Sequence, residues 1–355
     1  MSTSHLTVPP SKKDLTWAGS VLRNEAVSDP DHSSAMQILS QWRQAHSYAL
    51  NTFQAMLRGR CDYLGFRDQA AVVAQRLKRT PSIITKLQRL PTIRLGQIQD
   101  IAGLRVILPT VSDVRKFHQS LLDSKAKHEA KLPPKDYISE PKKDGYRSVH
   151  QIFKYRNAKH PELNVLSVEV QIRTYIQHAW ATAVETLGVI ERASFKTGDG
   201  SEDFKEFFRL SSALISHYEH APVISSLANI EPVELVKRFQ ELESRLRIFQ
   251  KLSSVGVATK NIKGIAKGYY TLLVLNFESQ SLQVTSFAED QADYAETVYT
   301  TLEEKFKSDP TIFMVLVSAG DLRSLKRAYP NYFLDTKAFM LTLNDICKQI
   351  SKSTP

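Results

Sequence analysis

The run Ser167-Val-Glu-Val-Gln-Ile-Arg-Thr174 constrains the fold more than any other stretch of the chain. Val168, Val170 and Ile172 alternate strictly with Glu169, Gln171 and Arg173. In extended backbone, successive side chains point to opposite faces, so this strand has one apolar face and one polar face. The apolar face needs a packed layer behind it. The polar face carries a carboxylate, an amide and a guanidinium, which form either a site or a solvated edge.

Helical and extended signals surround this strand. Met36, Leu39, Trp42, Tyr48, Ala49, Phe53 and Met56 recur at threes and fours and predict an amphipathic helix from Ser33 to about Arg60. Further helices are expected over Ser82–Leu90, Val111–Asp123, Tyr175–Ile190 and Asp203–His217. Leu104–Leu108, Ser148–Tyr155 and Leu166–Arg173 read as strands. Residues 125–147, rich in Lys, Pro, Asp and Gly, read as a long loop of the functional kind. Residues 1–30 read as a loose arm or a short helix. Residues 231–251 suggest a connecting helix. Beyond it come a hairpin within 268–287, a helix over Ala288–Lys307, a strand over Thr311–Val317 and a final helix over Thr336–Ile350. This pattern predicts an α/β (α+β) protein with a mixed sheet flanked by helices, followed by a smaller unit.

Composition narrows the partners. Forty-seven Lys and Arg against 37 Asp and Glu give +10 over 355 residues, which favours phosphate-bearing ligands. Cys61 and Cys347 are too few for a disulfide framework or a cysteine zinc site. No run of 18 apolar residues occurs and the first residues lack an apolar signal core, so a cytoplasmic protein without membrane contact is expected.

Four local signals carry chemistry. Arg76-Leu-Lys78-Arg79-Thr-Pro-Ser82-Ile-Ile-Thr-Lys86 spaces Lys78, Ser82 and Lys86 by four. They share one helix face if the helix begins early enough, and two ammonium groups with a hydroxyl suit a polyphosphate. A solvated basic face would look the same. Asp100-Ile-Ala-Gly103-Leu-Arg105 sets an acid at a strand entrance, as a ligand or as a cap. Lys135-Asp-Tyr-Ile-Ser-Glu-Pro-Lys142-Lys143-Asp-Gly145-Tyr146-Arg-Ser-Val-His150 presents an aromatic among cations, which suits a nucleotide base or ordinary packing. The fourth is the Glu169, Gln171 and Arg173 face.

In this order the four motifs resemble the synthetase domain of RelA/SpoT-type alarmone synthetases over roughly residues 35–220. No His-Asp dipeptide occurs, so the hydrolase half of the long bifunctional members is not expected. The resemblance implies an ATP-dependent pyrophosphokinase. Arg76 and Arg105 would sandwich the adenine. Lys78, Arg79, Ser82 and Lys86 would hold the ATP phosphates. Asp100 and Glu169 would bind Mg²⁺, with Glu169 and Gln171 at the reacting centre. Lys142, Tyr146 and His150 would hold the acceptor. His178 reads as a helix-packing residue.

The C-terminal part resembles the antitoxin-like, pseudo-zinc-finger domain of CapRel-type fused toxin–antitoxin proteins of phage defence. The string Tyr329-Pro-Asn-Tyr332 carries that likeness. It implies a pyrophosphokinase domain over 1–225, a helical linker over 226–260 and a sensing domain over 261–355. Tyr329 and Tyr332 would plug the ATP site until a phage capsid protein binds. The implied acceptor is the 3′ end of tRNA, and a monomer is expected. Lys125, Lys127, Lys131, Lys135 and Lys143, with Lys12 and Lys13, could track tRNA phosphates or form a plain solvated surface. A GDP/GTP pyrophosphokinase, or an inactive sensor that binds RNA or a phage protein, are the alternatives.

Overall fold

The computed structural model describes residues 6–24, 29–66, 71–190, 202–249, 252, 270–276, 279, 281–306, 309, 312–318 and 336–352. Tyr329 and Tyr332 lie outside the described residues.

The first unit is a mixed sheet flanked by helices. Helix α1 (Lys12–Arg23) starts at Ser11, whose hydroxyl accepts the Asp14 N–H, and packs on the long α2 (Asp29–Tyr63). Of the loose arm or short helix expected in this stretch, a capped helix forms. Strand β1 (Val72–Leu77) leads through Lys78 and Arg79 into α3 (Thr80–Arg89). Strand β2 (Ala102–Leu108) and α4 (Val111–Leu122) follow. The long loop contains two short strands, β3 (Glu129–Ala130) and β4 (Lys135–Asp136). Strands β5 (Val149–Lys154) and β6 (Ser167–Thr174) complete the sheet.

The strand order is β1-β2-β6-β5-β3, with β4 also paired to β5. Only β2 and β6 run parallel among these pairs. Register fixes the two faces. Val73, Val106, Ile172 and Val149 lie side by side, and Leu104 pairs with Val170. These side chains form one core with Leu39, Trp42, Phe53, Leu57 and Phe117 of α2 and α4. Laterally paired residues share a face, so Arg76, Gly103 and Glu169 stand together on the other side. Arg105, Gln171 and His150 form the next row of that side.

Helices α5 (Tyr175–Ile190), α6 (Glu202–Tyr218) and α7 (Pro232–Leu246) build a second core. The final helix α9 (Lys337–Lys352) joins it through Phe339, Leu343 and Ile346, although sequence groups it with the C-terminal unit. Between α7 and α9 lies a small antiparallel sheet of β7 (Tyr270–Asn276), β8 (Ser281–Phe287) and β9 (Ile312–Ser318) in the order β8-β7-β9. Helix α8 (Ala292–Lys305) packs on it through Ala295 and Tyr299. Cys61 and Cys347 are buried free thiols. Among the described residues, no helix is long and apolar enough to cross a membrane.

Candidate active site

The shared helix face of Lys78, Ser82 and Lys86, expected if the helix begins early enough, does not form. Helix α3 begins at Thr80, so Lys78 precedes it and cannot share a face with Ser82 and Lys86. Pro81 sets the helix start at the chain's turn out of β1. Lys78 and Lys86 meet instead at Asp100, with Nζ atoms 3.0 and 2.9 Å from its two carboxylate oxygens. Burial opposes ionisation of Asp100, but the two ammonium groups outweigh it and hold its carboxyl down at about 2. Burial pulls the Lys78 ammonium below its usual value against the attraction of Asp100.

Glu169 is the centre of the polar face. His150 Nδ1 lies 3.1 Å from Glu169 Oε1, and Gln171 Nε2 donates to Oε2 at 2.7 Å. A carboxylate only accepts, so Nδ1 donates to Glu169, and Nε2 lies 2.8 Å from the Tyr146 hydroxyl. Burial works to raise the Glu169 carboxyl, but the His150 hydrogen bond prevails and lowers it. Burial pushes the Tyr146 phenol up, so the hydroxyl stays protonated.

The loop that carries Lys142, Tyr146 and His150 is held by specific contacts. Asp136 accepts from the Arg115 guanidinium at 2.6 Å and from the Ile138 and Ser139 N–H groups. Lys142 Nζ sits over two rings, 4.6 Å from the Tyr137 centroid and 4.8 Å from that of Tyr146. Gly145 has φ +93°, and a Cβ there would meet Ser212 Cβ at 2.7 Å, so glycine is required. The Ser212 hydroxyl donates to the Gly145 carbonyl at 2.6 Å and ties this loop to α6.

Arg76 and Arg105 occupy adjacent strands on the Glu169 side of the sheet, two residues apart in register. Arg105 is buried. Ser82 is partly exposed in the first turn of α3, and Arg79 occupies its N-cap position. His178 is buried and accepts from Arg173, in keeping with packing.

Sequence reasoning missed two residues here. Glu303 of α8 accepts the Thr80 N–H at 3.0 Å, the first amide of α3. It also pairs with Arg43 of α2, whose Nε donates to the Lys78 carbonyl at 3.0 Å. Thr80 and Glu303 are 223 positions apart, so no local pattern signals the contact.

Residues 75–197 match the family model described as the region found in RelA / SpoT proteins. GTP pyrophosphokinase YjbM of Bacillus subtilis (strain 168) is 36% identical over 118 residues, which are 32% of this chain and 54% of that protein. GTP pyrophosphokinase YwaC of the same organism is 34% identical over 112 residues, 30% of this chain and 52% of that protein. The chain spans about half the length of these relatives. Small alarmone synthetase 1 from Bacillus subtilis, solved with its product pppGpp, shares 26% identity with a TM-score of 0.43. That match covers 51% of this chain and 94% of the synthetase.

Proposed function

We propose that this protein transfers pyrophosphate from ATP to a ribose hydroxyl of a nucleotide acceptor. One observation carries the reading: a Lys78–Asp100–Lys86 cluster and a Tyr146–His150–Glu169 chain flank the same face of one sheet. In this reading the bond between the α- and β-phosphates breaks, the acceptor oxygen bonds the β-phosphorus, and AMP leaves. The hydroxyl proton passes to Glu169. Lys78, Arg79, Ser82 and Lys86 bind phosphate, and Arg76 and Arg105 hold the adenine. Such transfer depends on positioning and charge neutralisation more than on covalent chemistry.

Asp100 and Glu169 suit Mg²⁺. Both are ionised oxygen donors, and the charge of Asp100 is felt at Glu169. Mg²⁺ is commonly held by one or two carboxylates together with substrate phosphates. When bound there, the ion would neutralise charge on the transferring phosphates.

The acceptor we favour is the 3′ end of tRNA. Lys125, Lys127, Lys131, Lys135 and Lys143 are all exposed on or beside the acceptor loop, a wider basic field than a mononucleotide needs. A second reading, transfer to GDP or GTP, is supported by similarity to relatives named GTP pyrophosphokinases. Purified protein with γ-labelled ATP and either tRNA, GDP or GTP, with and without phage lysate or capsid protein, separates the two. Label on tRNA alone supports the first; label on guanine nucleotides alone overturns it.

We further propose that residues 261–355, a pseudo-zinc-finger-like unit, hold the enzyme off until a phage capsid protein binds, making the chain a cytoplasmic, monomeric defence toxin. The Glu303 contact at the start of α3 supports control of the ATP side. In this reading Tyr329 and Tyr332 plug the ATP site. Tyr329→Ala with Tyr332→Ala should then be toxic without phage. Growth of cells making soluble, transfer-competent double variant would remove the plug.

A further inference from the structure

Arg147 follows Tyr146 directly in the chain and is buried, with 3% of its surface exposed. Its Nε donates to the Ser212 hydroxyl at 3.1 Å, and its Nη1 donates to the Ile138 carbonyl at 3.5 Å. Its Nη2 is buried and makes no hydrogen bond among the described residues. Burial pulls the guanidinium down to about 10 against the attraction of Glu219, which leaves it charged at neutral pH. Glu219 accepts from the Thr174 hydroxyl and from Gln177 Nε2, at the corner where β6 passes into α5. A buried cation with a donor left unmade is costly, and an apolar side chain of similar volume would fill the space without that cost. Packing alone therefore does not account for an arginine here.

Its two hydrogen-bond partners sit beside two aromatic rings. The Ser212 hydroxyl that accepts from Arg147 donates in turn to the carbonyl of Gly145, the residue before Tyr146. Ile138 follows Tyr137, whose N–H donates to the Ser148 carbonyl at 3.0 Å. The Tyr137 and Tyr146 rings meet edge to face at 6.0 Å, and the Lys142 ammonium lies over both. Tyr137 also meets the His150 ring edge to face at 5.2 Å. One planar guanidinium thus reaches the backbone beside each ring, a span that the single ammonium of a lysine does not reproduce.

We infer that Arg147 is a positioning residue for the acceptor: from the buried side of the loop it fixes the separation of the Tyr137 and Tyr146 rings, and through them the places of Lys142 and of the acceptor nucleotide. It acts through its neighbours and touches none of the reacting groups. The inference rests on the reading of Tyr146 as the acceptor platform. It makes α6, through Ser212, part of the machinery that sets acceptor geometry.

The test compares KM for ATP with KM for the acceptor in the full chain. The acceptor is whichever of tRNA, GDP or GTP the wild type labels, under the condition, with or without phage lysate, in which it does so. Arg147→Lys keeps a cation facing Glu219 and loses the fork. Its acceptor KM should rise ~10-fold or more while the ATP KM holds, since small misplacements at a reacting pair are costly. Ser212→Ala, which leaves the charges alone, should raise the acceptor KM in the same way. The double variant should be no worse than the more affected single variant, because both changes cut one path. Equal rises in both KM values, or an unchanged acceptor KM in the two single variants, would overturn the positioning role and leave Arg147 as a stabilising residue. Tyr146→Ala separates the two levels. If it raises the acceptor KM and Arg147→Lys does not, only the positioning role falls. If it leaves the acceptor KM unmoved, the acceptor platform falls and the role of Arg147 with it. A wild type that labels none of the three acceptors loses the transfer reading and this role together.

Discussion

Arg43 and Glu303 form an ion pair of 3.0 Å with side chains only 5% and 8% exposed, joining α2 to α8. Arg43 also lies 5.9 Å from the ring centre of Tyr299 on α8 and donates to the Thr80 hydroxyl at 2.9 Å. Removing one partner of a buried pair typically costs about 3–5 kcal/mol. The pair therefore holds α8 onto the start of α3, where the helix dipole favours anions and Glu303 takes the Thr80 amide.

Glu303→Gln should loosen this docking while leaving Arg43 its Lys78 and Thr80 partners. ATP affinity, measured by calorimetry, should rise by ~10-fold or more, since each tenfold needs only about 1.4 kcal/mol. An unchanged ATP affinity in a folded variant would show that α8 does not compete at α3.

Glu169→Gln keeps the shape of the side chain and removes its charge. Pyrophosphate transfer should fall on the order of 10²-fold or more, with the circular dichroism spectrum unaltered. Transfer at the wild-type rate would take Glu169 out of the chemistry.

Tyr146→Ala should remove a stacking platform worth roughly 1–3 kcal/mol and raise the acceptor KM more than the ATP KM. Tyr146→Phe keeps the ring and loses the hydrogen bond to His150. The Phe variant should retain acceptor affinity and lose part of kcat. A selective loss of ATP binding in either variant would put Tyr146 on the wrong substrate.

His46 gives a pH signature independent of catalysis. Its Nδ1–H donates to the Trp42 carbonyl at 2.7 Å, and burial depresses the ring to about 4 from 6.5. Between these values the unfolded chain binds the proton and the folded chain does not, so stability rises with pH across that window. Lowering the pH from above 6.5 to 4 should cost about 3 kcal/mol through this residue. Urea unfolding of His46→Asn should show a shallower acid loss than the wild type. Parallel pH profiles would assign the acid sensitivity elsewhere.

The alternation through Glu169, Gln171 and Arg173 made the polar face of β6 legible before any coordinates, because strand periodicity is local. The long α2 was legible for the same reason. Strand β1 was not recognised, because Val72-Val-Ala-Gln-Arg-Leu77 lies at the sheet edge and gives little alternation. Without it, a helix starting early enough to carry Lys78 stayed open in the sequence reading. The Asp100 cluster and the Tyr146–His150–Glu169 chain depend on register between strands, which no single strand encodes. The Arg43–Glu303 pair depends on tertiary docking alone.

The return of α9 to the second core, where Phe339 packs near Phe208 and Phe249, has a kinetic consequence. The segment bearing Glu303 leaves that core after α7 and re-enters it at α9, so it is leashed at both ends. A leashed group meets its docking patch at an effective concentration of order millimolar for a short flexible link. Undocking is therefore followed by rapid recapture, whatever the cellular abundance of the chain. An opener must occupy the vacated surface for as long as the open form is to last, and one cut in the backbone would leave the segment still moored at its other end.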